Sequence, residues 1–228
     1  MLDPLNAFKR ILHDSLIPEY CQGAFLGPAG AQFRESKLKL NEDDARNFVQ
    51  GWEAQLLSHI GGRKYRGAKN GAAEKFFHSR SKALVPRTFT LAQESVIAVA
   101  ALARLHFAFQ WPKDLLGTQS KDHSFDAVAF LPNQKTEHVA CEVKTCRRDI
   151  DRLLSEMQRY CFPEYHCRVS IKEDAFKKVL GLRTRRAPIF WAIAPSGVSE
   201  VFNVSYQESG AVVMKQANES VLKYPLAK

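Results

Sequence analysis

The sequence predicts a mixed α/β fold, a central sheet flanked by helices with a helical extension at the N-terminal end. Three observations carry that expectation. Apolar residues recur at helical spacing in the first part of the chain. Two short β-prone runs joined by a turn follow at 125–144, and helices then alternate with further strands.

Asn41 reads as an N-cap, because Glu42, Asp43 and Asp44 behind it suit the positive end of a helix dipole. Ala45, Phe48, Val49, Trp52, Leu56 and Ile60 then repeat at helical spacing until Gly61-Gly62 ends the run. Residues 1–62 are therefore expected to form the helical extension, and 63–228 the main domain. Thr90-Leu91-Ala92-Gln93 matches a capping box for a helix from about Leu91 to Phe107. The run Val96 to Leu105 is apolar nearly all round, which predicts a central position for that helix. Phe125–Leu131 and Val139–Lys144 read as the two strands of an antiparallel hairpin around Pro132–Thr136. Helices at Arg147–Cys161 and Asp174–Leu180, a buried strand at Ile189–Ala194, and strands at Val198–Tyr206 and Ala211–Gln216 complete the expected order.

Composition narrows the class. With 45% hydrophobic and 25% charged residues in 228, the chain is neither disordered nor collagen-like. It has no apolar stretch long enough to cross a bilayer as a helix, so no membrane partner is expected. Neither a secretory leader nor a CxxC is visible, and five cysteines cannot all pair. A reducing, cytoplasmic setting is the expectation. Cys146, Cys161, His166 and Cys167 match no closed zinc or iron–sulfur spacing, which favours buried free thiols. The absence of GxxxxGK[ST] and of GxSxG argues against a P-loop ATPase and an α/β-hydrolase nucleophile.

The formal charge of +9 is concentrated between Arg63 and Arg87. Arg63, Lys64, Arg66, Lys69, Lys75, Arg80, Lys82 and Arg87 stand there against one acid, Glu74, interleaved with Tyr65, Phe76 and Phe77. Such a segment suits the phosphates of a nucleic acid. Arg147 and Arg148 extend the candidate phosphate contacts.

The chemistry is expected on the hairpin. Asp126 and Glu142 interrupt apolar runs and are equidistant from Gln134, the middle of the proposed turn. In that register the two carboxylates lie opposite one another, with Cβ atoms ~5 Å apart. Alternation places Glu142 and Lys144 on one face and Val139, Cys141 and Val143 on the other. Facing carboxylates repel unless a cation sits between them, and hard oxygen ligands select Mg²⁺, Mn²⁺ or Ca²⁺ over softer metals. Glu35-Ser36-Lys37 is the other E-x-K triplet of the chain, but no aspartate stands at hairpin distance before it.

Asp126, fifteen intervening residues, and Glu142-Val143-Lys144 between helices resemble the PD-(D/E)xK nuclease superfamily, with its restriction-endonuclease-like fold, over about 88–195. The resemblance implies that Asp126, Glu142 and the Val143 carbonyl hold the metal, with Lys144 beside them. It implies a role for Glu94 in the preceding helix, as catalytic and metal-binding residue, and for Gln158, with Tyr160 nearby, in the following one. Phe125 departs from the proline of the name-giving pattern. The implied activity is Mg²⁺- or Mn²⁺-dependent cleavage of phosphodiester bonds, DNA being the expected substrate. Cutting both strands takes two sites, which leaves a homodimer open. Two alternatives stand beside this reading: a non-cleaving nucleic-acid-binding module of the same fold within a larger assembly, and an interaction protein whose hairpin ion pair is structural.

Overall fold

The computed structural model describes residues 3–24, 33–34, 40–69, 72–79, 88–120, 122, 124–162 and 173–225. Arg80, Lys82, Arg87, the Glu35–Lys37 triplet, His166 and Cys167 lie outside the described residues.

Helix α1 (Pro4–Ile11) continues through a wider π-type turn at Leu12–Leu16 into α2 (Ile17–Ala24). Helix α3 (Glu42–Glu53) starts as expected: the Asn41 side chain accepts a hydrogen bond from the Asp44 N–H at 2.7 Å. It ends earlier than its apolar spacing predicts. Gln55 turns left-handed at φ 54°, and the following residues form strand β1 (Leu57–His59) against β2 (Tyr65–Gly67). Leu56 stays buried while Ile60 is 43% exposed, because strand pairing with β2 wins over one more helical turn.

A second small ladder pairs β3 (Phe77–Ser79) with β4 (Phe89–Leu91). This corrects the expected capping box. Thr90 lies opposite His78 in the ladder, and the N-cap of helix α4 (Gln93–Ala103) is Ala92, without a side-chain bond. Every residue from Ser95 to Ala103 is buried, as an all-round apolar helix requires. One side of α4, with Val96 and Val99, closes an aromatic core with α1, α2, α3, Tyr65, Phe76 and Phe77. The other side, with Ile97, Ala101 and Leu102, covers a face of the main sheet. The aromatic core draws side chains from both sides of residue 62.

The main sheet comprises β5 (Leu116–Thr118), β6 (Ala127–Ala129), β7 (Val139–Val143), β8 (Ile189–Ala194), β9 (Val198–Tyr206) and β10 (Val212–Ala217), in the spatial order β10-β9-β8-β7-β6-β5. Its neighbours are antiparallel except β7 and β8, whose parallel pairing needs the crossover supplied by α5 (Arg147–Tyr160) and α6 (Asp174–Arg185). Both middle strands are buried along their whole length, consistent with helices on both faces. The hairpin strand β6 is shorter than predicted, and its ladder is prolonged by the His138 N–H donating to the Ala129 carbonyl at 2.7 Å. Helix α6 is longer than predicted and ends at Arg186 in a left-handed cap, φ 60°. Beyond β5, β2 crosses so closely that a Cβ on Gly67 would stand 2.9 Å from the Gly117 Cα. The described cysteines, Cys21, Cys141, Cys146 and Cys161, are free thiols. No helix among the described residues is long and apolar enough to cross a membrane.

Candidate metal-binding site on the hairpin

The pairing Ala127↔Cys141, Val128↔Ala140, Ala129↔Val139 is the register read from the sequence. The pairing ends at Ala127↔Cys141, and the expected direct opposition of Asp126 and Glu142 is not part of it: the Asp126 N–H donates to the Cys141 carbonyl at 2.9 Å, one residue off that register, and the Gln119 N–H donates to the Asp126 carbonyl at 2.8 Å. The two carboxylates are still close enough for the Asp126 charge to act on Glu142. Just upstream, Ser120 Oγ accepts from the N–H groups of Ser124 and Phe125 at 2.8 and 3.0 Å. Phe125 is buried beneath the sheet, so Asp126 is held from both directions. Its Oδ2 accepts the Val143 N–H at 2.8 Å. Val139, Cys141 and Val143 face α4, while Ala140 faces α5 and α6, which confirms the alternation.

Glu142, only 1% exposed, points toward α6 and meets two ammonium groups. Lys144 Nζ lies 2.7 Å from Oε1, and Lys178 Nζ lies 2.6 Å from Oε2. Asp174, at the start of α6, joins both lysines: its Oδ2 accepts from Lys144 at 2.9 Å, and its Oδ1 stands 3.5 Å from Lys178. Glu94 opens to solvent at the mouth of a cavity of about 320 Å³, lined also by Asp126, Glu74, Lys75, His78 and Gln119. Glu74 is buried there, accepting from Ser95 Oγ at 2.9 Å, Gln119 Nε2 at 3.2 Å and the Lys75 N–H at 3.0 Å.

Acids outnumber bases in this group. Asp126, Glu142, Glu94, Asp174 and Glu74 face Lys144 and Lys178, and the electrostatics follow. Burial and the neighbouring Asp126 charge push the Glu142 carboxyl up to about 8, against the pull of Lys178 and Lys144. Burial raises Asp126 as well, despite Lys178 and the Val143 N–H. Burial also raises Glu74, and partial loss of solvent raises Glu94, which keeps one side open. Asp174 runs the other way: burial is outweighed by Lys178 and Lys144, which hold its carboxyl below the usual range. Burial opposes the charge on both lysines, but Glu142 wins and raises them.

Does this donor set fit a hard divalent cation? Among the described residues no three His, Cys, Asp or Glu side chains converge closely enough to hold one alone. Mg²⁺ commonly takes one or two carboxylates and completes its shell with water and substrate phosphate. Asp126 and Glu142 meet that requirement. Glu142 Oε2 is buried and its partner is the Lys178 ammonium. The residues fit.

Asp126, Glu142, Val143, Lys144 and Glu94 are thus brought together. Gln158 is not. It lies exposed on α5 beside an apolar groove with Leu154, Phe162 and Met214, because its helical position follows the buried Met157 on the side facing β10. Tyr160 is bound by its hydroxyl to Glu173. Among the basic residues, Lys64, Arg66, Arg147 and Arg148 are exposed. Arg63 lies over the Tyr20 ring at 5.3 Å and Lys69 over the Phe130 ring at 5.6 Å. Arg147 is paired with Asp151 and Glu200, each at 2.8 Å. Tyr65, Phe76 and Phe77 are buried in the N-terminal core, so they offer no faces for stacking bases.

Sequence reasoning missed Lys178, Asp174 and the role of Glu74. The signals were there. Lys178 takes a place in the apolar stripe Ala175, Val179, Leu182, with Asp174 one turn before it, and Glu74 is the lone acid of the basic segment.

No family model, curated protein or solved structure matches this chain.

Proposed function

We propose that the chain is a divalent-cation-dependent nuclease of the restriction-endonuclease-like type, acting on DNA. The observation that supports this reading is the meeting of two buried carboxyl groups at the end of one strand: Asp126, whose Oδ2 accepts the Val143 N–H, and Glu142, whose charge Asp126 opposes and on which Lys144 stands. A helix-flanked mixed sheet, with a crossover between the parallel β7 and β8, also supports it. Asp126 and Glu142 would hold Mg²⁺ or Mn²⁺, with the Val143 carbonyl and Glu94 as further candidates. A cation bound there lowers the pKa of water and offsets phosphate charge. Lys144, half-buried and already a donor to two carboxylates, presents an ammonium to an attacking water or to the phosphate oxygens as they gain charge. Lys75 at the cavity wall and the exposed Lys64, Arg66, Arg147 and Arg148 would contribute sequence-neutral attraction to the backbone.

Nicking of supercoiled plasmid by the purified protein, with and without Mg²⁺, tests the reading. Lys144→Ala and Asp126→Ala should each slow cleavage by about 10²-fold or more. Equal cutting by both variants and wild type would overturn the site assignment. A second reading has one observation in its favour: both Glu142 oxygens are already neutralised by lysines. It describes a non-cleaving nucleic-acid-binding module, and predicts DNA retention in a gel without any Mg²⁺-dependent nicking.

A further inference from the structure

We propose that Lys178 is the resident counter-cation of the acidic pair: its ammonium holds the place on Glu142 that a divalent ion takes, so the two compete and Lys178 sets the affinity of the site. This deepens the reading of Asp126 and Glu142 as a cation site and rests on it.

Four features of the structure lead there. The contact is close and dry: Lys178 Nζ stands 2.6 Å from Glu142 Oε2, with side-chain exposures of 6% and 2%. No other donor meets Oε2 among the described residues. A divalent ion that takes this oxygen therefore has one ammonium to displace there. The lysine is delivered by a rigid element, because Ala175, Val179 and Leu182 of α6 are packed in the core beneath the sheet. Finally, the displaced ammonium has somewhere to go. Asp174 Oδ1, one helical turn back, lies 3.5 Å from Nζ and also belongs to α6.

The two lysines differ in this respect. Lys144 takes the other oxygen, Oε1, shares itself with Asp174 and is more exposed, at 18%, so it stays on the open side where a substrate would arrive. Lys178 is sealed behind. A buried carboxylate pair without any counter-charge is costly, and Lys178 supplies that charge when no divalent ion is bound. Linkage makes the relation reciprocal: whatever the ammonium contributes to the metal-free site, an incoming ion must overcome. Lys178 is accordingly a positioning residue, acting through Glu142.

Mn²⁺ titration followed by electron paramagnetic resonance tests this on the full chain. Lys178→Met should tighten Mn²⁺ binding by about tenfold or more, the removal of one like charge at contact distance. Lys178→Arg, which keeps the charge, should bind within a few-fold of wild type. Unchanged or weaker binding by a folded Lys178→Met overturns the inference and leaves the acidic pair standing. Absence of Mn²⁺ binding in wild type and variant alike overturns both. The wild type offers a check independent of variant folding. On titration with Mg²⁺, the Lys178 side-chain ammonium resonance should shift in step with binding, and a resonance that stays still while Mg²⁺ binds refutes the displacement.

Discussion

Asp126→Asn separates a cation site from a structural ion pair. The amide oxygen can still accept the Val143 N–H that Asp126 Oδ2 now takes at 2.8 Å, so geometry is kept and charge alone is removed. Above pH 8, where Glu142 is ionised, two charges ~5 Å apart at an effective dielectric of 20 give roughly 3 kcal/mol of repulsion between Asp126 and Glu142. Loss of the attraction to Lys178 offsets part of it. Burial is the first cause that raises the Asp126 carboxyl, with Glu74 and Glu94 adding to it against Lys178 and the Val143 N–H, so the fold disfavours the ionised form. Without divalent ions, Asp126→Asn should therefore gain about 1–3 kcal/mol, a rise of roughly 3–10 °C in melting temperature for a chain of this size. Wild type with Mg²⁺ at a hundred times its dissociation constant should gain about 2.7 kcal/mol, or roughly 5–10 °C, and the variant should gain none. Differential scanning calorimetry with EDTA and with Mg²⁺ reads both quantities. A variant less stable than wild type in EDTA, together with a wild type indifferent to Mg²⁺, would refute the reasoning and leave a purely structural role.

Further outcomes follow from the same geometry. Because Glu142 is held up to about 8, it must lose a proton to bind a cation; Mn²⁺ affinity should rise by up to about tenfold per pH unit from pH 6 and level off above 8, as isothermal titration at several pH values would show. The sign for stability is opposite: a folded-state carboxyl raised above its unfolded value makes the metal-free protein lose stability as pH climbs from the ordinary glutamate range toward 8, and a melting temperature that increases across that window contradicts it. Gly181→Ala places a Cβ 3.1 Å from the Ser124 Cβ and 3.2 Å from the Phe125 ring, in the segment that delivers Asp126; it should cost about 1–2 kcal/mol in urea unfolding, despite the helix propensity of alanine. Asn41→Ala, which removes the cap of α3, should cost about 1 kcal/mol and leave Mn²⁺ binding untouched.

Much of the site was legible because the hairpin is local. Period-two alternation and a turn centred on Gln134 allow one register that keeps Val139, Cys141 and Val143 inside, and it pairs Ala127 with Cys141, which brings Asp126 to the end of the hairpin near Glu142. The central position of α4 was readable for a similar reason, since a helix apolar on all sides has to be covered on all sides. The misplacements came where a local pattern competed with a distant partner. Leu57–His59 fits a further helical turn, but β2 claims it as a strand. Thr90 looks like a cap, but it is committed to the ladder with β3.

From residue order alone came the mixed α/β class, the nearness of Asp126 and Glu142, and the side of the strand that Lys144 shares. Only the folded chain decided what surrounds them. Lys178 and Asp174 arrive on a helix beyond the hairpin, Glu74 arrives from the basic segment, and Gln158 is carried away to another face. The physical reason is range: alternation and turn symmetry act over a few residues and are written in their spacing, whereas the meeting of charges from remote elements depends on how α4 and α6 pack against the sheet, which no short pattern records.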